Sequence, residues 1–255
     1  MGLIAPPYLG SLDLLTGALQ TRGSAVLAPE RVVQGAVCSL SELLALNASW
    51  NDLATDTYLK DGGRYRKRRH SCFVVDGTRV TQSPHRAHWQ PVDYNALHGG
   101  MQRWFEPVSP QVVNAPAWNK LLIWLAQVSS ACADEAGLRD PSAPWFVEAH
   151  QFRIDTTDGI GRPTPEGAHR DGVDFVAVFM VERVNIKGGE TRVFEANGSS
   201  GERFTLIENW SLLLLDDAKV IHESTPIQPV DITRGEGAHR DTLVVTLRAV
   251  GFQDA

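Results

Sequence analysis

The sequence predicts an α+β fold: a jelly-roll core in the C-terminal half, buttressed by helices from the N-terminal half. Three observations carry that expectation. From residue 145 onward, eight short runs with strand chemistry follow one another, separated by Gly, Pro, Asn or Asp. Before residue 140 the clearest apolar residues recur instead at helical spacing. The chain has 255 residues, 43% of them hydrophobic and 21% charged, an ordinary globular composition with room for a large core. Many short, evenly spaced strands pack as a double-sheet jelly roll or close as a barrel. No internal repeat or low-complexity stretch divides the chain. The expectation is one domain over 1–255, with 1–140 as a helical and mixed buttress and 145–250 as the core.

The elements follow in order. Leu12, Leu14, Leu15 and Leu19 lie at helical spacing and stop at Arg22-Gly23, a helix end. Ser39-Leu40-Ser41-Glu42 is a capping box ahead of Leu43, Leu44 and Leu46. The strongest helix opens at Pro116, where proline suits the first turn, and puts Trp118, Leu121, Leu122, Trp124, Leu125 and Val128 on one face. After the proline-rich segment 141–144, strands are expected at 145–154, 167–169, 174–184, 191–195, 203–207, 211–215, 219–222 and 241–250.

Charge and cysteine content exclude several classes. The net charge of −6 and a sequence pI near 5.7 argue against nucleic acid or an anionic membrane as the main partner. No apolar run approaches the roughly 18 residues of a membrane span, and the start Met1-Gly2-Leu3-Ile4-Ala5-Pro6 lacks a signal-peptide pattern. Cys38, Cys72 and Cys132 show neither disulfide nor zinc spacing and read as small core residues. A soluble, cytoplasmic protein is expected. Residues 64–70 place five basic side chains in seven positions, which reads either as a nucleic-acid patch or as a strand or loop with solvated or ion-paired cations. On a strand, Arg64, Arg66 and Arg68 would share a face.

The chemistry concentrates in Pro165-Glu166-Gly167-Ala168-His169-Arg170-Asp171-Gly172. His-x-Asp at a strand end puts an imidazole and a carboxylate on the same side. Fifty-three residues beyond His169, a strand-like run carries His222. Two histidines and one carboxylate form the facial triad of non-haem Fe(II) oxygenases, which leaves metal positions open for a bidentate co-substrate and dioxygen. Gly-Ala-His-Arg-Asp occurs twice, at 167–171 and 237–241. His239 has no histidine after it, so the first copy is assigned to metal, and Arg240 rather than His239 is the functional residue of the second. The other histidines (His70, His85, His88, His98 and His150) lack ligand-like spacing and read as structural.

From Tyr58 to its end the chain resembles the bacterial 2OG-Fe dioxygenase family that includes the free L-isoleucine hydroxylases. The stretches that carry the resemblance are Gly99-Gly100-Met101-Gln102-Arg103-Trp104-Phe105, His150-Gln151-Phe152-Arg153, the segment 163–172, Gly188-Gly189-Glu190-Thr191 and Arg240-Asp241. The resemblance implies a double-stranded β-helix, Fe(II), 2-oxoglutarate as co-substrate and O2. It implies hydroxylation of a free amino acid or a close derivative, with release of succinate and CO2. His169, Asp171 and His222 would bind Fe(II), and retention of Asp171, which halogenating relatives replace with a small residue, favours hydroxylation. Arg240 would pair with the distal carboxylate of 2-oxoglutarate, because a guanidinium fork matches a carboxylate, and Thr242 would support it. Arg248, on the same strand face, is the rival. For the substrate, Gln151 and Arg153 would face the barrel interior if Phe152 faces outward, with Arg153 on the carboxylate, and Glu166 would meet the ammonium. A carrier-bound amino acid, another small metabolite or a non-catalytic binding module stand as alternatives.

Overall fold

The computed structural model describes residues 3–95, 97, 99–135, 140, 142–233 and 237–254. His98 and Pro141 lie outside the described residues. Twelve strands are described: β1 (Ser24–Leu27), β2 (Arg66–Asp76), β3 (Arg79–Gln82), β4 (Trp145–Asp155), β5 (Phe175–Val184), β6 (Ile186–Gly188), β7 (Thr191–Glu195), β8 (Gly201–Phe204), β9 (Ser211–Asp216), β10 (Val220–Ser224), β11 (Ile227–Pro229) and β12 (His239–Arg248). The described helices are α1 (Leu15–Arg22), α2 (Pro29–Ala36), α3 (Leu40–Leu44), α4 (Pro110–Val113) and α5 (Pro116–Glu135). A large antiparallel sheet runs β1-β9-β5-β12-β4-β2-β3. Facing it are a three-stranded sheet, β10-β7-β8, and the pair β11-β6. This is the double-sheet jelly-roll core expected from the sequence.

The helices form as their local chemistry dictates. Ser39 and Glu42 complete the reciprocal capping box of α3. Gly23 ends α1 in the left-handed region, at φ 70. On α5, Trp118, Leu121, Leu122 and Leu125 are buried against the outer face of the large sheet, where Phe73, Ala149, Ala177, Phe179, Leu212, Leu214 and Val245 point outward to meet them. Each such side chain contributes about 2 kcal/mol of burial. A smaller cluster of Val176, Met180, Val193, Phe204, Leu213 and Val220 fills part of the gap between the two sheets. Cys72 and Cys132 are buried free thiols, and Cys38 is half-buried.

The N-terminal half does more than buttress. It supplies β1, β2 and β3 to the large sheet, with β1 paired along β9 and β2 along β4. The basic run is therefore a strand rather than a surface patch. Arg64 precedes it and pairs with Asp158, Lys67 reaches Asp155, and Arg69 reaches Asp52 and Glu106. Arg66, Arg68 and His70 alternate inward and are buried. The segment expected as a strand at 167–169 contributes only an isolated bridge, His169 to His222, and the strand expected at 203–207 lies earlier, as β8. Among the described residues no single helix is long and apolar enough to cross a membrane.

Candidate active site

The inner faces of the sheets and two loops enclose a cavity, and the short segment 163–173 supplies one corner of it. The backbone N–H of His169 donates to the His222 carbonyl at 3.0 Å, and that of His222 returns the bond at 2.9 Å. This reciprocal pair sets the imidazoles side by side, with ring centroids 4.6 Å apart. Asp171, two residues beyond His169, joins them. Its carboxylate oxygens lie 3.7 Å from His169 Nε2 and 3.9 Å from His222 Nε2. Two donors that share an ion at about 2.1 Å each can stand at most about 4.2 Å apart, so the spacing suits one metal. One nitrogen or oxygen from each residue lies within 4.8 Å of the others.

The loop is fixed from behind. Asp217, fully buried at the end of β9, accepts backbone N–H bonds from Asp171 (3.1 Å), Gly172 (2.8 Å) and Val173 (3.2 Å). Burial and the nearby Asp171 charge push its carboxyl up to about 6. Gly172 has φ 73 and packs on the Tyr94 ring, where a Cβ would stand 2.4 Å from a ring carbon; only glycine fits. Gln90 Nε2 donates to Asp171 Oδ1 at 3.0 Å. His169 Nδ1 sits 3.1 Å from the Gly167 carbonyl, which places the proton there and leaves the Nε2 lone pair toward the other donors. Burial pulls the His169 imidazole down, but the Asp171 and Glu166 charges outweigh it and the net shift is upward. Burial beside His169 lowers His222 to about 4.

Arg240 lies on the same cavity wall, from β12, with Thr242 next along that face. It is buried and has no carboxylate partner among the described residues, and its Nε makes no hydrogen bond. Burial, and then the Arg183 charge opposite it, lower its guanidinium to about 9. A buried cation without a counter-ion is costly, so the residue fits an anionic ligand such as the distal carboxylate of 2-oxoglutarate. A register shift between β12 and β5 at Asp241/Thr242 sets Arg183 opposite Arg240. Arg248 is turned to the Gly251 carbonyl at the far end of β12, away from the cavity lining.

A second wall comes from β2 and β4. Glu148 Oε2 accepts from His70 Nε2 and His88 Nδ1, each at 2.9 Å, and Arg68 Nη2 lies 2.7 Å from His150 Nδ1. Burial raises the Glu148 carboxyl, yet the two imidazole bonds overcome this and the net shift is strongly downward. His88 is lowered to about 4, chiefly by burial, and His70 and His150 move the same way for the same reason. These four residues bring donors within 4.8 Å of one another. Hydrogen bonds engage His70 Nε2, His88 Nδ1, Glu148 Oε2 and His150 Nδ1 but leave His70 Nδ1 without a partner, and the surrounding guanidiniums oppose a further cation.

The sequence-derived assignments divide cleanly. His169, Asp171, His222, Glu166, Arg240 and Thr242 line one cavity. Gln151 and Arg153 do not: Phe152 faces inward, so its neighbours face the other way. Gln151 is buried against Ser49 at 2.7 Å, and Arg153 forms a two-point ion pair with Asp241 at 2.8 and 2.6 Å. The assumption that Phe152 faces outward inverted the strand. Arg66, Arg68, His88, Gln90, Arg103, Glu148 and His150 line the cavity without having been singled out for it. The alternation of Arg66, Arg68 and His70 was the available signal for the β2 wall.

Comparison with known proteins agrees with this geometry. Residues 47–246 match the 2OG-Fe dioxygenase family model. The chain therefore belongs to the 2OG-Fe dioxygenase family, whose chemistry uses Fe(II), 2-oxoglutarate and O2. Among solved structures, it is similar to a bsmA homolog from Methylobium petroleophilum PM1, with 47% identity over 100% of this chain and 99% of that one and a TM-score of 0.90. IDO from Bacillus thuringiensis (18% identity, 96% and 100% covered, TM-score 0.73) and the Fe(II)/(alpha)ketoglutarate-dependent dioxygenase TqaL (22%, 92% and 86%, 0.66) share the fold. No curated protein matches the chain.

Proposed function

We propose that this dioxygenase hydroxylates an unactivated C–H of a free L-amino acid, converting 2-oxoglutarate to succinate and CO2. The observation that carries the reading is the convergence, in one cavity, of the His169–Asp171–His222 donors with the unpaired Arg240. Fe(II), when bound, supplies dioxygen activation coupled to oxidative decarboxylation of 2-oxoglutarate. His169, Asp171 and His222 hold the metal, and Asp217 and Gln90 keep Asp171 in position. Arg240 takes the distal carboxylate of 2-oxoglutarate with Thr242 beside it. Val178, Val244 and Phe152 give the cavity wall an apolar stretch that limits water beside the reacting centre.

The free amino acid is supported by charge. Glu166 lines the cavity 3.7 Å from His169, and its Oε2 is buried without a hydrogen bond, which suits a substrate ammonium. The test is succinate release from 2-oxoglutarate with anaerobically loaded Fe(II), across the proteinogenic amino acids with ornithine, citrulline and pipecolate. The expected result is one amino acid that stimulates succinate and gains an oxygen by mass spectrometry. Low succinate throughout, unresponsive to any of them, would move the substrate to a carrier-bound or different metabolite. No succinate from iron-loaded protein would overturn the reading.

A further inference from the structure

Arg66, Arg68 and Arg103 are three buried guanidiniums that line the cavity, a cost that a fold sustains only where their charge is answered. Arg68 is answered in part: it lies against the Phe105 and Phe152 rings at 3.9 and 4.4 Å, donates toward His150, and stands 3.8 Å from Asp56, while its Nε makes no hydrogen bond. Arg66 donates from Nε to Asp56 at 2.7 Å but leaves Nη2 without a partner. Arg103 has no carboxylate partner among the described residues. Its Nη2 donates to the neutral Gln90 Oε1 at 2.9 Å, and its Nε is buried and unpaired. Gln90 in turn donates to Asp171, so Arg103 is two hydrogen bonds from the metal donors.

The charges around the cavity can be counted in two groups. Fe(II), Asp171, doubly charged 2-oxoglutarate and Arg240 cancel. Arg66, Arg68 and Arg103 are matched in number by Glu148 and Glu166 on the cavity wall and Asp56 behind it, with the wall imidazoles neutral. What remains is no net charge but two separated needs: unpaired N–H groups on Arg66, Arg68 and Arg103, and an unpaired oxygen on Glu166. A zwitterion answers both, whereas a neutral ester or thioester leaves the guanidiniums unmet.

We infer that Arg103, assisted by Arg66, binds the substrate's free α-carboxylate while Glu166 binds its ammonium, so that the enzyme rejects amino acids whose carboxyl is esterified, amidated or thioesterified. This rests on the amino-acid reading above, and it makes the free carboxylate a condition of turnover.

The test compares the stimulating amino acid with its methyl ester, its primary amide and its amino-free acid on the wild-type holoenzyme. Turnover is read as kcat/KM, and binding separately by calorimetry on the anaerobic Fe(II)–2-oxoglutarate form. The expected result is a loss of about 100-fold for ester and amide in both readouts, the size of a lost charge-assisted contact that leaves a buried partner unpaired. R103Q should raise the amino-acid KM by about 10- to 100-fold, leave the 2-oxoglutarate KM within a few-fold, and bring the acid-to-ester ratio toward one. Ester and acid used equally by the wild type would overturn the carboxylate assignment alone. R103Q retaining the full acid-to-ester preference would remove Arg103 from it. An amino-acid panel with no response would overturn both this inference and the reading on which it rests.

Discussion

Gly-Ala-His-Arg-Asp occurs at 167–171 and at 237–241, and the two copies have opposite fates. Locally they begin alike: His169 Nδ1 lies 3.1 Å from the Gly167 carbonyl, and His239 Nδ1 lies 2.8 Å from the Gly237 carbonyl. In the first copy His169 and Asp171 turn into the cavity, while Arg170 faces Tyr94 and Asp217. In the second it is Arg240 that turns in. His239 and Asp241 lie on the other face with Glu182, and Arg153 takes both oxygens of Asp241. Each trio gathers three donors within reach of an ion. A guanidinium already occupies the second. Five identical residues thus make a metal corner or an ion pair according to which strand face the surrounding register assigns them.

Substitutions at matched positions can break this contrast. D171A should lower amino-acid-stimulated succinate release by at least about 1,000-fold, because removing a triad ligand removes the metal chemistry. Its iron content should fall while the melting temperature stays near wild type. R240Q, the inward residue of the second copy, should raise the 2-oxoglutarate KM by about 100-fold, in line with a charge-assisted carboxylate contact. D241A should keep its iron and most of its turnover but lose about 3 kcal/mol of stability by stranding Arg153. A lowered urea midpoint with unchanged metal content would show it. H239A should cost less than about 1 kcal/mol, since His239 sits in the partly exposed group with Glu182, as surface substitutions usually do. If D241A rather than D171A emptied the protein of iron, the assignment of the two copies would be reversed.

Much of the metal corner was legible because it depends on order along the chain. His169-x-Asp171, then a downstream His222, then Arg240 at the start of the last strand, is a pattern that sequence alone preserves. The α3 capping box and the start of α5 at Pro116 were legible for the same reason, being fixed by neighbours within one turn. The other wall was not. Whether β4 turns Phe152 or Arg153 inward is decided by its pairing with β2 and β12, whose registers run through Arg68 and Thr242. Nothing local to residues 150–153 carries that information. Asp217 was invisible too: its role rests on three backbone N–H groups more than forty residues away. Whether the cations of β2 are solvated or paired was open in the sequence, because charge predicts exposure unless burial supplies partners, and Asp56 and the two phenyl rings come from other segments.

The reciprocal backbone bonds between His169 and His222 make the imidazole pair an extension of the small sheet. Closing the 53-residue excursion between them is an entropic cost met when the chain folds, not when an ion arrives. The backbone thus joins the two imidazoles independently of any ion they share. A chelator should strip the protein without unfolding it, and re-addition of Fe(II) should restore it on the timescale of mixing. The amides of His169 and His222 should exchange with deuterated solvent as slowly as their β10 neighbours, whether the protein is loaded or bare.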